Sequence, residues 1–118
     1  GTGTEAGGAT IPTVVTGSSL PSTTWCLVSG NVTATGGANV TSWGTNYGLT
    51  AGYGYTVTNN GTEASPFGWS DNLTSLDSGT LYHYRSWATN SEGTGYGDDD
   101  TFTTDSVPSG FIPRILIY

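Results

Sequence analysis

Apolar positions in this chain fall in short runs that alternate with polar ones, and no window repeats them at the 3.6-residue spacing of an amphipathic helix. The runs TVVT, TTWCLVSGNVTA, VTSWGTNY, YGYTVT, FGWSDNL, LYHYRSWATN and GYGDDDTFTT predict strands over residues 13–16, 23–34, 40–47, 53–58, 67–73, 81–90 and 95–104. Between them, TGGAN, NNGTEASP, LDSGT and NSEG supply the Gly, Asn, Asp and Pro that turns require. Seven short strands at this spacing predict an all-β antiparallel sandwich.

Period-two reading assigns faces. In the second strand Cys26, Val28, Gly30 and Val32 share one side and Trp25, Leu27, Ser29 and Asn31 the other, and the first set is read as inward. Tyr82, Tyr84, Ser86 and Ala88 point in along residues 81–90, leaving His83, Arg85 and Trp87 outward. Phe67, Trp69 and Leu73 also point in, which makes Trp69 the core tryptophan. Trp25, Trp43 and Trp87 fall on outer faces, and exposed tryptophan commonly marks a contact surface. Loops or tails fold over these rings, a neighbouring subunit covers them, or Trp43 and Trp87 with Arg85 form a platform for sugar or another partner.

Charge and composition narrow the class. The 118 residues include 22 Thr, 13 Ser and 19 Gly, only 2 Lys+Arg against 9 Asp+Glu, and a net charge of −7. Nucleic-acid binding needs clustered cations, so neither nucleic acid nor an anionic membrane is an expected partner. No apolar run is long enough to cross a bilayer as a helix. The single Cys26 has no partner for an internal disulfide and is expected to be buried and inert. A chain that opens at Gly1, poor in charge and rich in hydroxyls, is expected to be a mature product whose export signal has been removed, or an excised fragment, located outside the cell or on a virion surface. Four N-x-[ST] sequons, at Asn31, Asn39, Asn60 and Asn72, lie at outward or loop positions where covalent glycans would fit.

Candidate chemistry is thin. Asp98, Asp99 and Asp100 form the only charge run, but adjacent strand residues face opposite ways and no spaced Ca²⁺-binding loop accompanies them. His83 has no Ser or Cys partner in a recognisable motif. No nucleophile–base pair, metal-ligand set or phosphate loop is legible, so neither an enzyme nor a cofactor is expected.

The stretch Leu73-Thr74-Ser75-Leu76-Asp77-Ser78-Gly79-Thr80-Leu81-Tyr82-His83-Tyr84-Arg85-Ser86-Trp87-Ala88-Thr89-Asn90-Ser91-Glu92-Gly93 resembles the corner into strand F of a fibronectin type III domain. With Ser29–Ala38 upstream and Tyr96-Gly97 and Thr101–Thr104 downstream, it is similar to the variant found in secreted bacterial, archaeal and phage surface proteins. The resemblance implies a seven-stranded fibronectin type III or immunoglobulin-like sandwich over residues 13–104, with Tyr82 as the corner tyrosine whose hydroxyl bonds nearby backbone. Two segments stand outside it. Residues 1–12 are a Gly/Thr-rich extension, expected to lie against a neighbouring subunit, and residues 105–118 end in the apolar string FIPRILIY, which the family does not have. Asp100 also departs from the family, standing where strand G would carry an inward aliphatic residue. The expected function is a non-enzymatic extracellular structural subunit, a homopolymer of surface-filament, pilus-like or virion-fibre type. Phe111, Ile112, Ile115, Leu116, Ile117 and Tyr118, with Trp25 and Leu27, would form its assembly interface by strand addition. The alternatives are a carbohydrate-binding or adhesive module, or a passive spacer of a larger secreted protein.

Overall fold

The computed structural model describes residues 8–108. Within them run β1 (Thr13–Pro21), β2 (Cys26–Ala34), β3 (Val40–Gly48), β4 (Tyr55–Glu63), β5 (Phe67–Leu73), β6 (Leu81–Asn90), β7 (Gly93–Tyr96) and β8 (Asp100–Thr103). They form two antiparallel sheets, one ordered β1-β2-β5 and the other β4-β3-β6-β7, with β8 also paired to β6. The architecture is an antiparallel sandwich, as the strand pattern expects, and it is of the fibronectin type III and immunoglobulin-like type that the resemblance implies.

The element bounds differ from the expected ones for local reasons. β2 starts at Cys26 because Ser22–Trp25 is a turn, closed by Ser22 N–H donating to Trp25 O at 2.7 Å. β4 runs on through Asn59-Asn60-Gly61, residues whose turn propensity is overridden by pairing with β3. The last expected strand is divided into β7 and β8, giving eight segments. At the break, Thr16 of the other sheet inserts its hydroxyl, accepting from Ser86 N–H at 3.1 Å and donating to Asp98 O at 2.7 Å. A register shift in β1 between Thr16 and Ser19 accompanies this insertion, and Tyr84 Oη donates to the Gly17 carbonyl there at 2.7 Å.

Inward positions of β2 and β6 follow the alternation: Cys26, Val28, Val32, Tyr82, Tyr84 and Ala88 are buried. The core they build is in two halves. One holds Cys26, Val28, Leu73, Leu76, Tyr82, Tyr84 and Phe102, and the other holds Val14, Val32, Val40 and Ala88 with Trp43, Phe67 and Trp69 packed against them. Between the halves lies a belt of small and polar residues, Gly30, Thr45, Asp71 and Ser86. Thr45 Oγ1 donates to Asp71 Oδ2 at 2.8 Å and Asn59 Nδ2 to Asp71 Oδ1 at 2.9 Å, tying β3 and β4 to β5 across the sandwich. Gly30 is required here, since a Cβ would strike the Trp69 ring and Ser86 at contact distances no side chain tolerates.

The two ends of the described chain lie at opposite poles. At one, Thr10 N–H donates to Gly36 O at 2.8 Å and Asn90 Nδ2 donates to the carbonyls of Thr10 and Thr35 at 2.7 and 2.8 Å. Thr10 of the N-terminal extension is therefore held on the domain's own loops; residues 1–7 lie outside the described residues. At the other pole, Gly79 N–H donates to Asp105 O at 3.0 Å and Asp105 N–H to Ser22 O at 2.8 Å, just before the described chain stops at Pro108.

Candidate functional site

The corner into β6 is built as its sequence suggests. Tyr82 is buried, and its hydroxyl accepts from the Asp77 backbone N–H at 2.9 Å. Ser75 and Gly79 both take positive φ, 58° and 56°, to turn the chain around it.

The three tryptophans placed outward do not share a surface. A register shift between Val40 and Ser42 changes the alternation of β3, so that Trp43 pairs with inward-facing Ala88 and turns into the sandwich. Its ring meets Phe67 edge-on, with centroids 4.9 Å apart. Trp87 stays on the outward face, but it is only 8% exposed, flanked by its cross-strand neighbours Gly44 and Tyr96. A Cβ at Gly44 would come 3.3 Å from the Trp87 ring and collide with the Val57 carbonyl, so the missing side chain makes room for the indole. Trp43 and Trp87 thus lie on opposite faces of one sheet, and the expected platform of the two rings with Arg85 does not exist. Trp69 points inward but is half-buried, and the indole N–H groups of Trp69 and Trp87 are buried with no partner among the described residues.

Arg85 instead belongs to a cluster that the pattern did not reveal. Its guanidinium carbon stands 3.8 Å from the centre of the Tyr96 ring and 4.7 Å from that of Tyr53, and Nε donates to Asn46 Oδ1 at 2.9 Å. Beside it, Asp99 accepts from Tyr53 Oη at 2.7 Å and contacts His83 Nδ1 at 2.9 Å. Burial and the Asp99 hydrogen bond push the Tyr53 phenol up to about 12. Desolvation works against the Asp99 carboxylate, but the hydrogen bonds from His83 and Tyr53 outweigh it and hold its pKa below the usual value. Alternation sets Arg85 outward, but that Tyr96 lies beside it follows from the pairing of Trp87 with Tyr96, which only the register of β6 and β7 shows. Tyr53 arrives from a loop at φ 61°, for which no pattern speaks. The contacts of Tyr53, Asp99, His83, Arg85 and Asn46 with one another make the cluster a clasp that holds the 49–54 and 97–99 loops to the sheet.

Among the described residues no three His, Cys, Asp or Glu converge to hold a metal ion. Asp98, Asp99 and Asp100 line one open cavity with Val14, Val15 and Thr16 but have separate partners: Asp99 serves the clasp, Asp100 Oδ1 accepts from Thr101 N–H at 2.8 Å, and Asp98 is exposed. Cys26 is fully buried, and desolvation pushes its thiol up to about 11.

What remains open is apolar surface and free strand edge. Leu20, Trp25 and Leu27 are 65%, 44% and 37% exposed, and Leu20 pairs directly with Leu27 across β1 and β2. This patch stands beside Ser22, where Asp105 is held and the chain leaves the fold. Phe111, Ile112, Ile115, Leu116, Ile117 and Tyr118, the other residues expected at an assembly interface, lie outside the described residues. Asn31, Asn39, Asn60 and Asn72 are all exposed.

No protein-family model matches the chain, and no curated protein matches it. Solved structures do. It is similar to the sensor domain of the anti-sigma factor RsgI4 from Pseudobacteroides cellulosolvens, with TM-score 0.66 and 13% identity over 85% of this chain and 100% of that one. It is also similar to domains A168–A170 of titin, with TM-score 0.58 and 14% identity over 83% of this chain and 34% of that one. The sixth fibronectin type III domain of human fibronectin type III domain containing protein 3 matches with TM-score 0.57 and 19% identity over 92% of this chain and 96% of that one. The likeness shows a fibronectin type III or immunoglobulin-like sandwich, a fold found in diverse proteins and not in secreted surface proteins in particular.

Proposed function

We propose that this chain is a non-catalytic, extracellular structural module that self-assembles head to tail, its apolar C-terminal segment engaging the next copy. The observation that carries the reading is the placement of the Leu20–Trp25–Leu27 patch at the pole where the chain leaves the sandwich. The patch is an apolar region, and in the sequence the string FIPRILIY follows within a few residues of the point where the described chain ends. Such a region on a surface with so few charges calls for a covering partner. Because the N-terminal extension packs at the opposite pole, a contact between unlike poles does not close on itself and propagates as a filament.

Sedimentation of the intact chain against Leu27→Asp tests the part played by the patch. A charge there breaks the apolar contact at an exposed position that the fold does not need, so the variant is expected to stay folded and to shift from large species to monomer. An unchanged size distribution sinks the reading. The carbohydrate-binding alternative loses its physical support with the Trp43–Trp87 platform.

A further inference from the structure

The sandwich has one lateral seam that its described strands leave open. β5 is the edge of one sheet and β4 the edge of the other, and they face each other where Asn59 bonds Asp71. Among the described residues no strand pairs with the outer edge of β5, and the only charged residue of that strand, Asp71, points inward. No Lys, Arg or Pro stands along it to discourage strand addition. Just inside the seam are three half-buried rings, Trp43, Phe67 and Trp69, with the Phe67 centre 4.9 and 5.6 Å from those of the other two.

We infer that the chain's own residues 111–118 add to this edge as a strand antiparallel to β5 and close the seam over the three rings. The path of the described chain supports this. Asp105 is held at Ser22, just past the end of β1, and Ser106 lies against Gly79 in the corner that follows β5. A strand added beyond β5 stands three strand spacings from β1, about 15 Å. The six steps from Asp105 to Phe111 reach about 20 Å, so the segment arrives with slack. It arrives at the Leu73 end of β5, since Pro21 pairs with Cys26 and Cys26 with Leu73, and following the edge from there runs it against the direction of β5. Eight extended residues span about 27 Å, against about 24 Å for the seven of β5. A tether this short keeps the segment at an effective concentration of roughly millimolar, which a second copy does not match in dilute solution.

The composition of the segment suits the position. Period two puts Phe111, Pro113, Ile115 and Ile117 on the side of the aromatic rings. Pro113 and Arg114 then stand on the new outer edge, where a missing donor and a cation turn further strands away, a protection that β5 itself lacks. The other side, Ile112, Arg114, Leu116 and Tyr118, is apolar apart from Arg114 and continues the row Leu20, Leu27 and Asn72 across the outer face of the same sheet. That side enlarges the patch of the assembly proposed above, and this consequence alone rests on that reading.

The other apolar seat within reach is a cavity of about 340 Å³ at the same pole, lined in part by Tyr47, Leu49, Tyr55 and Leu76. Full-length chains carrying Arg114→Cys with Ser70→Cys, Asn72→Cys or Tyr55→Cys are therefore oxidised mildly, and non-reducing electrophoresis separates chains linked within themselves from linked pairs, beside the mass in solution. Buried Cys26 stays silent. Docking on β5 predicts at least tenfold more within-chain linkage to position 70 or 72 than to position 55. It also predicts that alternate amides of β5 exchange hydrogen at least tenfold faster in full-length Ile115→Asp than in the intact chain. Linkage to position 55, linkage only between chains, or none at all overturns it, as does unchanged exchange in β5. Within-chain linkage in a sample that stays monomeric leaves the docking standing and overturns assembly, and large species without that linkage do the reverse.

Discussion

Asp71 is an inward residue of β5 where alternation calls for an aliphatic side chain, and its oxygens satisfy Thr45 and Asn59 from the facing sheet. Removing the carboxyl leaves the buried Thr45 hydroxyl without its acceptor, at about 1–3 kcal/mol for a buried group left unsatisfied, and takes from Asn59 Nδ2 one of its two acceptors, the other being the Trp43 carbonyl at 3.3 Å. Asp71→Ala is therefore expected to lower the urea midpoint by more than Tyr82→Phe, which leaves only the Asp77 N–H without its acceptor. Titratable residues set the pH limits. The Asp99 pKa is lowered by folding, so its contribution is present above the ordinary carboxylate range and is lost as pH falls through the depressed folded value. Asp99→Asn should flatten the acid limb of the melting temperature measured from pH 6 to pH 2. Cys26 behaves in the opposite sense. Its thiol pKa is raised from 9.0 to about 11, so folding stability falls as pH rises across that interval and the unfolded chain ionises first. At pH 8 the native thiol is expected to resist a thiol-reactive dye, and unfolding in urea to release one reactive thiol per chain.

At the scale of the strand, the legible features were those that rest on simple alternation. Cys26, Val28 and Val32 in β2, and Tyr82, Tyr84 and Ala88 in β6, all face inward because nothing interrupts either period. What escaped the pattern has a local cause in each case. The register shift after Val40 changes which residues of β3 face the core and takes Trp43 inside, and no residue type marks such a shift beforehand. Trp87 is buried on an outward face because its neighbour Gly44 has no side chain, a cross-strand relation visible only once register is known. The division of strand G depends on Thr16, 82 residues from Asp98. Thr16→Val keeps the shape of that side chain and removes both of its hydrogen bonds. The expected result is a loss of about 1–3 kcal/mol and faster hydrogen exchange at the Ser86 amide, read by NMR.

For the whole molecule, the sandwich holds its own N-terminal extension at Thr10 but leaves apolar surface uncovered at the exit pole and along the β4–β5 seam. Asn72 pairs with Leu27 across β2 and β5, so a glycan on Asn72 would shadow the patch. Peptide mapping by mass spectrometry of assembled material is expected to find Asn72 unmodified, whichever of Asn31, Asn39 and Asn60 carry sugar. The central claim is that residues beyond Ser106 hold copies together. Light scattering with negative-stain microscopy, on the intact chain and on a chain ending at Ser106, tests it most directly. Filaments or large oligomers from the first and folded monomers from the second are the predicted result. The same distribution of species from both chains would contradict it.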